Sequence, residues 1–183
     1  MLRFDSLEEL CVHEINDLLD AERNFNSTAS RMASSVASVE LKTAMWVYLE
    51  DSGENISRLE GVLALLTPTG TRHGRSRGME GIVSECEALL TESAADEDVK
   101  DAGLLAGFQR ALHYKIGCYG SIVGFLQVLG KDEAVPAIEE CLKGDKDALR
   151  TLTDVAEIFV NQAAAREATL VGENAGDDIE AEL

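Results

Sequence analysis

A carboxylate stands where a greasy side chain belongs. At 100° per residue, residues 4–36 bring Phe4, Leu7, Cys11, Ile15, Leu18, Phe25, Ala29, Met32, Ala33 and Val36 onto one helical face, and Glu22 falls at its centre. A lone ion removed from water is too costly to persist unanswered. The core must therefore supply a metal ion, a cationic side chain or a proton, and the choice among them decides most of the function. Arg72, His73, Arg75 and Arg77 form the one basic cluster. It offers a site for phosphate, nucleic acid or an acidic neighbour, against the plainer reading of a loop whose charges meet the chain's own carboxylates. Cys11, Cys86, Cys118 and Cys141 are widely spaced, and three sit among helical apolar positions. They read as reduced packing residues, not as disulfides or zinc ligands. No nucleotide-binding loop, Ser-His-Asp order or His-Glu-x-x-His string occurs, so hydrolase and transferase readings have no support.

The composition sets bounds on the frame that holds these groups. The chain has 183 residues, 45% of them apolar, and only 2 prolines, which predicts a helical domain with a sizeable core. Lys+Arg 16 against Asp+Glu 34 gives a net charge of −18. Such a surface repels nucleic acid and anionic membrane, which weighs against an anion site in the Arg72–Arg77 loop. It suits a salt-rich cytosol and an ordinary acidic protein equally. The N-terminus lacks a signal-peptide pattern and no apolar run reaches spanning length, so a cytoplasmic protein with no membrane partner is expected.

Ser6 with Glu9 reads as a capping box opening a helix to about Ser34. A second helix over residues 39–66 buries Leu41, Met45, Leu49, Ser52, Ile56, Leu59 and Leu63, and stops at Thr67-Pro68-Thr69-Gly70. The segment through Gly78 reads as a loop, followed by a short helix at 79–91. Asp96 begins a third long helix with Leu105, Phe108, Leu112, Ile116, Tyr119, Val123 and Leu126 inward, and Gly130 ends it. A short piece at 133–142, with Pro136 in its first turn, precedes a fourth long helix at 145–166. Two antiparallel hairpins joined by a long crossover describe an all-α, ferritin-like four-helix bundle over residues 1–170. Residues 171–183 read as an acidic, disordered tail.

Several strings resemble the YciE/YciF family of stress-associated ferritin-like proteins. They are His13-Glu14-x-x-Asp17-x-x-Asp20-Ala21-Glu22, Leu49-Glu50-Asp51 followed by Arg58-Leu59-Glu60, and Met79-Glu80-Gly81-Ile82. Gln109-Arg110-x-x-His113-Tyr114-x-Ile116-x-x-Tyr119-Gly120 and Leu152-Thr153-x-Val155-Ala156-Glu157 complete the set, in order, to about Ala165. The resemblance implies a bundle with a di-iron-type carboxylate centre, and a homodimer. Two divalent cations there need carboxylates from each helix, with histidine assistance.

Carried over by resemblance, Glu22 matches the first-helix glutamate, Asp51 stands in for a glutamate, Asn55 for a glutamine, and Asp145 for a fourth-helix acid. The third helix departs, because Leu112-His113-Tyr114-Lys115 replaces Glu-His-Tyr-Glu, and Leu149 occupies another acidic position. His113 points about 100° away from Leu112 and is a poor substitute ligand. Glu50, some 140° from the stripe's centre at Met45, reads as solvated. Tyr48 and Trp46 are redox candidates or simply packing aromatics. Lys115 lies on the shoulder of the Leu112 stripe, from which its ammonium would reach Glu22 or Asp51 and replace the metals by a fixed charge. On this reading the protein is a non-catalytic member with no cofactor. The alternative keeps iron or manganese on Glu22, Asp51 and Asp145, with Glu50 or His113, in a di-iron-type oxidoreductase or iron-handling protein.

Overall fold

Among the described residues, five helices form in the order α1 (Leu7–Ser35), α2 (Val39–Leu66), α3 (Arg77–Thr91), α4 (Glu97–Val128) and α5 (Val135–Val155). A π-helical segment, Ala156–Val160, carries α5 onward to residue 166. The structure is a computed structural model that describes residues 4–67, 74–91 and 95–166. The arrangement is the all-α, ferritin-like bundle: α1 and α2 pair, α4 and α5 pair, and the pairs meet through α1 against α4 and α2 against α5. Helix α3 lies on α1 and α4.

Local chemistry fixes the ends. The Glu9 amide donates to Ser6 Oγ at 3.1 Å, while the Glu9 carboxylate reaches past Ser6 to accept from the Asp5 amide at 2.9 Å. Ser38 and Asp96 cap α2 and α4 in the same manner, accepting from the Leu41 amide at 3.2 Å and the Asp98 amide at 2.8 Å. Gly130, at φ +67°, ends α4 as the left-handed residue of a Schellman motif, with the Lys131 amide donating to Leu126 O at 2.9 Å.

The Val36–Ser38 turn between α1 and α2 is tied to the far hairpin. Buried Asp101, in the first turns of α4, accepts from the Ala37 amide at 3.0 and 3.1 Å and from the Ser38 amide at 2.7 Å. The crossover is tied to α1 by a similar device. Asp17 Oδ1 accepts from the Arg75 amide at 3.0 Å, Asp20 Oδ2 from the Ser76 amide at 2.9 Å, and Ser76 Oγ lies 2.9 Å from Tyr114 Oη. Gly74 permits this approach, since a Cβ there would stand 2.2 Å from the Asn16 carbonyl oxygen.

The structure corrects several expectations. The 133–142 piece and the fourth helix are one helix. Val135, Ile138, Cys141, Asp145 and Leu152 form a continuous buried stripe through Gly144, so packing outweighs the glycine's cost of about 1 kcal/mol. The buried face of α2 is turned by about 40° toward Tyr48 and Asn55. Leu49 and Ile56 are consequently only half-buried. Phe4 is exposed and Leu7 half-buried, because the bundle's apolar layers begin at Cys11. On α4, Lys115 occupies the centre of the buried face, and Ile116 and Val123 flank it half-buried. All four cysteines are free thiols. The 171–183 tail lies outside the described residues, and among those described no helix is long and apolar enough to cross a membrane.

Candidate functional site

The four long helices each place one or two polar groups at the same level of the core. Glu22 comes from α1, Tyr48 from α2, Lys115 and Tyr119 from α4, and Asp145 from α5. Glu22, Lys115 and Asp145 are 0% exposed, so their charges must be answered by one another. Lys115 Nζ lies 3.1 and 3.2 Å from the two oxygens of Glu22, and donates to Asp145 Oδ1 at 3.2 Å. Its remaining donor bond goes to the Tyr48 hydroxyl. Tyr119 Oη donates to Glu22 Oε1, giving that carboxylate a second partner. Around these polar atoms, Phe25, Tyr48 and Phe108 form an aromatic wall, with the ammonium 5.5 Å from the Phe25 centroid and 4.9 Å from that of Tyr48.

An ammonium has three protons, and Glu22, Asp145 and Tyr48 take them. Asp145 Oδ2 stands 3.1 Å from Nζ, close enough for charge attraction, yet it accepts no hydrogen bond. Two carboxylates thus face one cation.

Burial alone would push the Lys115 ammonium down, but Asp145, Glu22 and Tyr48 outweigh it and hold its pKa well above the usual lysine range. Burial drives both phenols up, Tyr119 with help from Glu22, and raises the Cys141 thiol beside them to about 11. These groups stay protonated at neutral pH and are poor nucleophiles or bases.

Burial, reinforced by Glu22 and opposed by Lys115, raises Asp145 from 3.8 to about 6. The folded chain therefore holds this proton more tightly than the unfolded chain. The stability it contributes is fullest below about pH 4 and is lost as pH rises through about 6. In thermal melts across that range, the Tm of wild type minus that of Asp145→Asn should fall with rising pH and level off above it. The opposite slope would mean the carboxyl titrates below its ordinary range.

Asp51, expected in the ion pair, is corrected: it is exposed on the shoulder of α2, and Asp145 is the second anion. Asp51 lies about 80° from the centre of the buried face of α2, at its rim beside Asn55, too far round to reach the ammonium. Glu50 and His113 are exposed and contribute nothing to the cluster. Asn55 is buried, 3.4 Å from Arg58 Nη1, and Trp46 is exposed. In the basic segment, Arg72 and His73 lie outside the described residues. Arg75 Nε is 2.8 Å from Glu80 Oε1, and Arg77 is exposed. Tyr48, a redox candidate or packing aromatic from the sequence, accepts from Lys115 through its hydroxyl, whereas the hydroxyl of Tyr119 and the carboxylate of Asp101 escaped sequence reasoning. The spacing of Asp101 from Leu105 and Phe108, four and seven residues on, is the signal that marks it as inward.

The donor set does not fit a pair of divalent metals. The space between Glu22 and Asp145 is filled by a lysine Nζ, and Tyr119 already donates to Glu22. Among the described residues, no three His, Cys, Asp or Glu side chains come together as a metal cage.

A family model described as a domain of unknown function, DUF892, matches residues 6–165. Protein YciF of Escherichia coli K12 is 26% identical over 167 residues, covering 91% of this chain and 100% of that relative. The crystal structure of the E. coli stress protein YciF matches with a TM-score of 0.81 and 26% identity, over 86% of this chain and 99% of that one. YcfI from Rhodopseudomonas palustris matches at 0.76 and 26% identity, over 84% and 98%. A Xanthomonas campestris protein matches at 0.69 and 20% identity, over 89% of this chain and 99% of that chain, a likeness of fold.

Proposed function

Because this chain belongs to the DUF892 family, the ferritin-like group that includes YciF, we propose that it is a stress-associated bundle protein working without a metal centre. In this reading it acts non-catalytically, in the cytoplasm, through its surface and as a homodimer. The observation that carries it is Lys115, whose ammonium lies within about one hydrogen-bond length of Glu22 and Asp145 where the ferritin-like plan places cations. A fixed cation pairs with both acids, and its two phenolic neighbours remain protonated. Neither phenol is poised to give up its proton at neutral pH, and the cation leaves no open coordination position between the acids. The association with stress follows the printed description of the E. coli relative.

Metal analysis tests the proposal. Protein purified with and without added ferrous iron should retain iron far below one equivalent per chain, and chelation should leave its melting curve unchanged. Two equivalents per chain, with Lys115 displaced from the carboxylates, would establish the iron-handling alternative.

A further inference from the structure

The face of α2 that looks directly away from the core carries almost no charge. Within about 60° of that outward direction run Val39 and Trp46 in the first half of the helix, and Gly53, Ser57, Gly61 and Ala64 in the second. Thr43 and Glu50 complete the line, which thus holds one acid in a chain of charge −18. Beside it, Glu54 is paired with Arg58 at 2.6 Å and Glu60 with Arg23 at 2.6 Å. Val47 and Leu65 stand exposed along one edge, and α1 flanks the Trp46 ring with Ser30 and Ser34. An exposed strip this poor in charge, carrying an aromatic of the kind enriched at protein contacts, marks a covered surface.

Its pattern selects what covers it. The line is sorted by size, large side chains first and small ones after, and a Cβ added at Gly53 or Gly61 meets no atom within 4 Å. Trp46 and Ala64 are five whole turns apart, as are Val47 and Leu65, so each pair projects in one direction. A two-fold axis passing beside Asn55 and Ile56 reverses the helix but keeps each edge of the strip on its own side. Trp46 then falls on the 61–64 stretch of a second copy, and Val47 on its Leu65. At the axis Gly53 and Ser57 are the outward residues, so the two backbones approach closely. A parallel pairing would set tryptophan on tryptophan and glycine on glycine, with a clash at one end and a void at the other.

We propose that this strip is the contact face of a homodimer, in which α2 packs antiparallel on α2 of a second copy and each Trp46 seats in the small-residue hollow of the other chain. The assignment rests on the homodimer reading above and gives that dimer its face. The strip is about 40 Å long and about 10–12 Å wide, so two copies together bury on the order of 1,000 Å², the lower bound for a specific interface. Association is therefore reversible and depends on concentration.

Trp46 is the chain's single tryptophan and 42% exposed, so it reports its own burial. Sedimentation velocity of the full chain over a concentration series in potassium chloride should show a monomer–dimer equilibrium. Tryptophan emission should move to shorter wavelength as dimer forms. Gly61→Glu puts a charge in the hollow and leaves the monomer fold intact, since a Cβ there is unobstructed and glycine is a poor helix former. It should weaken association by about tenfold or more, as should Trp46→Ser, which decides the matter if Gly61→Glu fails to fold. Because each copy carries −18, association should tighten as salt rises and screens the repulsion. A chain that stays monomeric at every concentration and salt level overturns both this face and the homodimer reading, while iron content still judges the metal-free reading separately. Dimers that persist in both folded variants overturn the face alone. Dimers that dissociate as salt rises overturn it too, since ion pairs and not an apolar strip would then hold them.

Discussion

Lys115→Leu should destabilise the bundle by about 3 kcal/mol or more, the cost of removing one side of a fully buried ion pair. The reason is what stays behind. Glu22 and Asp145, both 0% exposed, would be left with Tyr119 and no cation, and solvent cannot replace what the ammonium supplied. Chemical denaturation should show the drop as a lower midpoint at an unchanged slope. Two companion results would identify the cause as stranded charge and not lost packing. The deficit should shrink in acid, where the carboxyls accept protons. The triple variant Lys115→Leu, Glu22→Gln, Asp145→Asn should recover most of the loss, because amides need no counter-ion. A single variant as stable as wild type would mean the lysine's charge is satisfied by water and its place in the core is incidental.

Asp101→Ala should cost about 3 kcal/mol, through a different mechanism. One carboxylate, 2% exposed, receives the backbone amides of Ala37 and Ser38 and thereby closes the α1–α2 turn onto α4. Truncation leaves both donors without their acceptor and removes a tie between the two hairpins. Asp101→Asn should cost clearly less, since its amide oxygen still accepts. Hydrogen exchange at the Ala37 and Ser38 amides gives the local readout: protection should vanish in Asp101→Ala and persist in part in Asp101→Asn. Unchanged protection in both would place the closure of that turn elsewhere.

Helix periodicity carried the architecture, and it did so most reliably where apolar residues repeat without interruption. In α1 the stripe from Cys11 to Met32 leaves one anomaly, Glu22, and the structure puts that residue in the core. Where small and polar residues enter a stripe, the wheel loses angular precision. In α2, Ser52, Asn55 and Tyr48 lie inward although none is a strong hydrophobe, and the resulting turn of about 40° brings Tyr48 into the core while Asp51, a further 60° round, stays at the exposed rim. In α5, Gly144 reads locally as a break. Only packing against α4 and α2 shows that the helix passes through it, bringing Asp145 to the middle of the bundle. The partners of Lys115 depend on which side chains meet across four helices, and no periodicity within one helix contains that information.

A lysine in the heart of the bundle also changes what the fold asks of its surroundings. An ion recruited from solution has an occupancy that rises and falls with supply, and it can be stripped by a competitor. An ammonium tethered by four methylenes arrives from the ribosome with the rest of the chain, in fixed stoichiometry, and has no off-rate. Maturation of this core should therefore need no loading step, and should proceed equally well under iron starvation and iron excess.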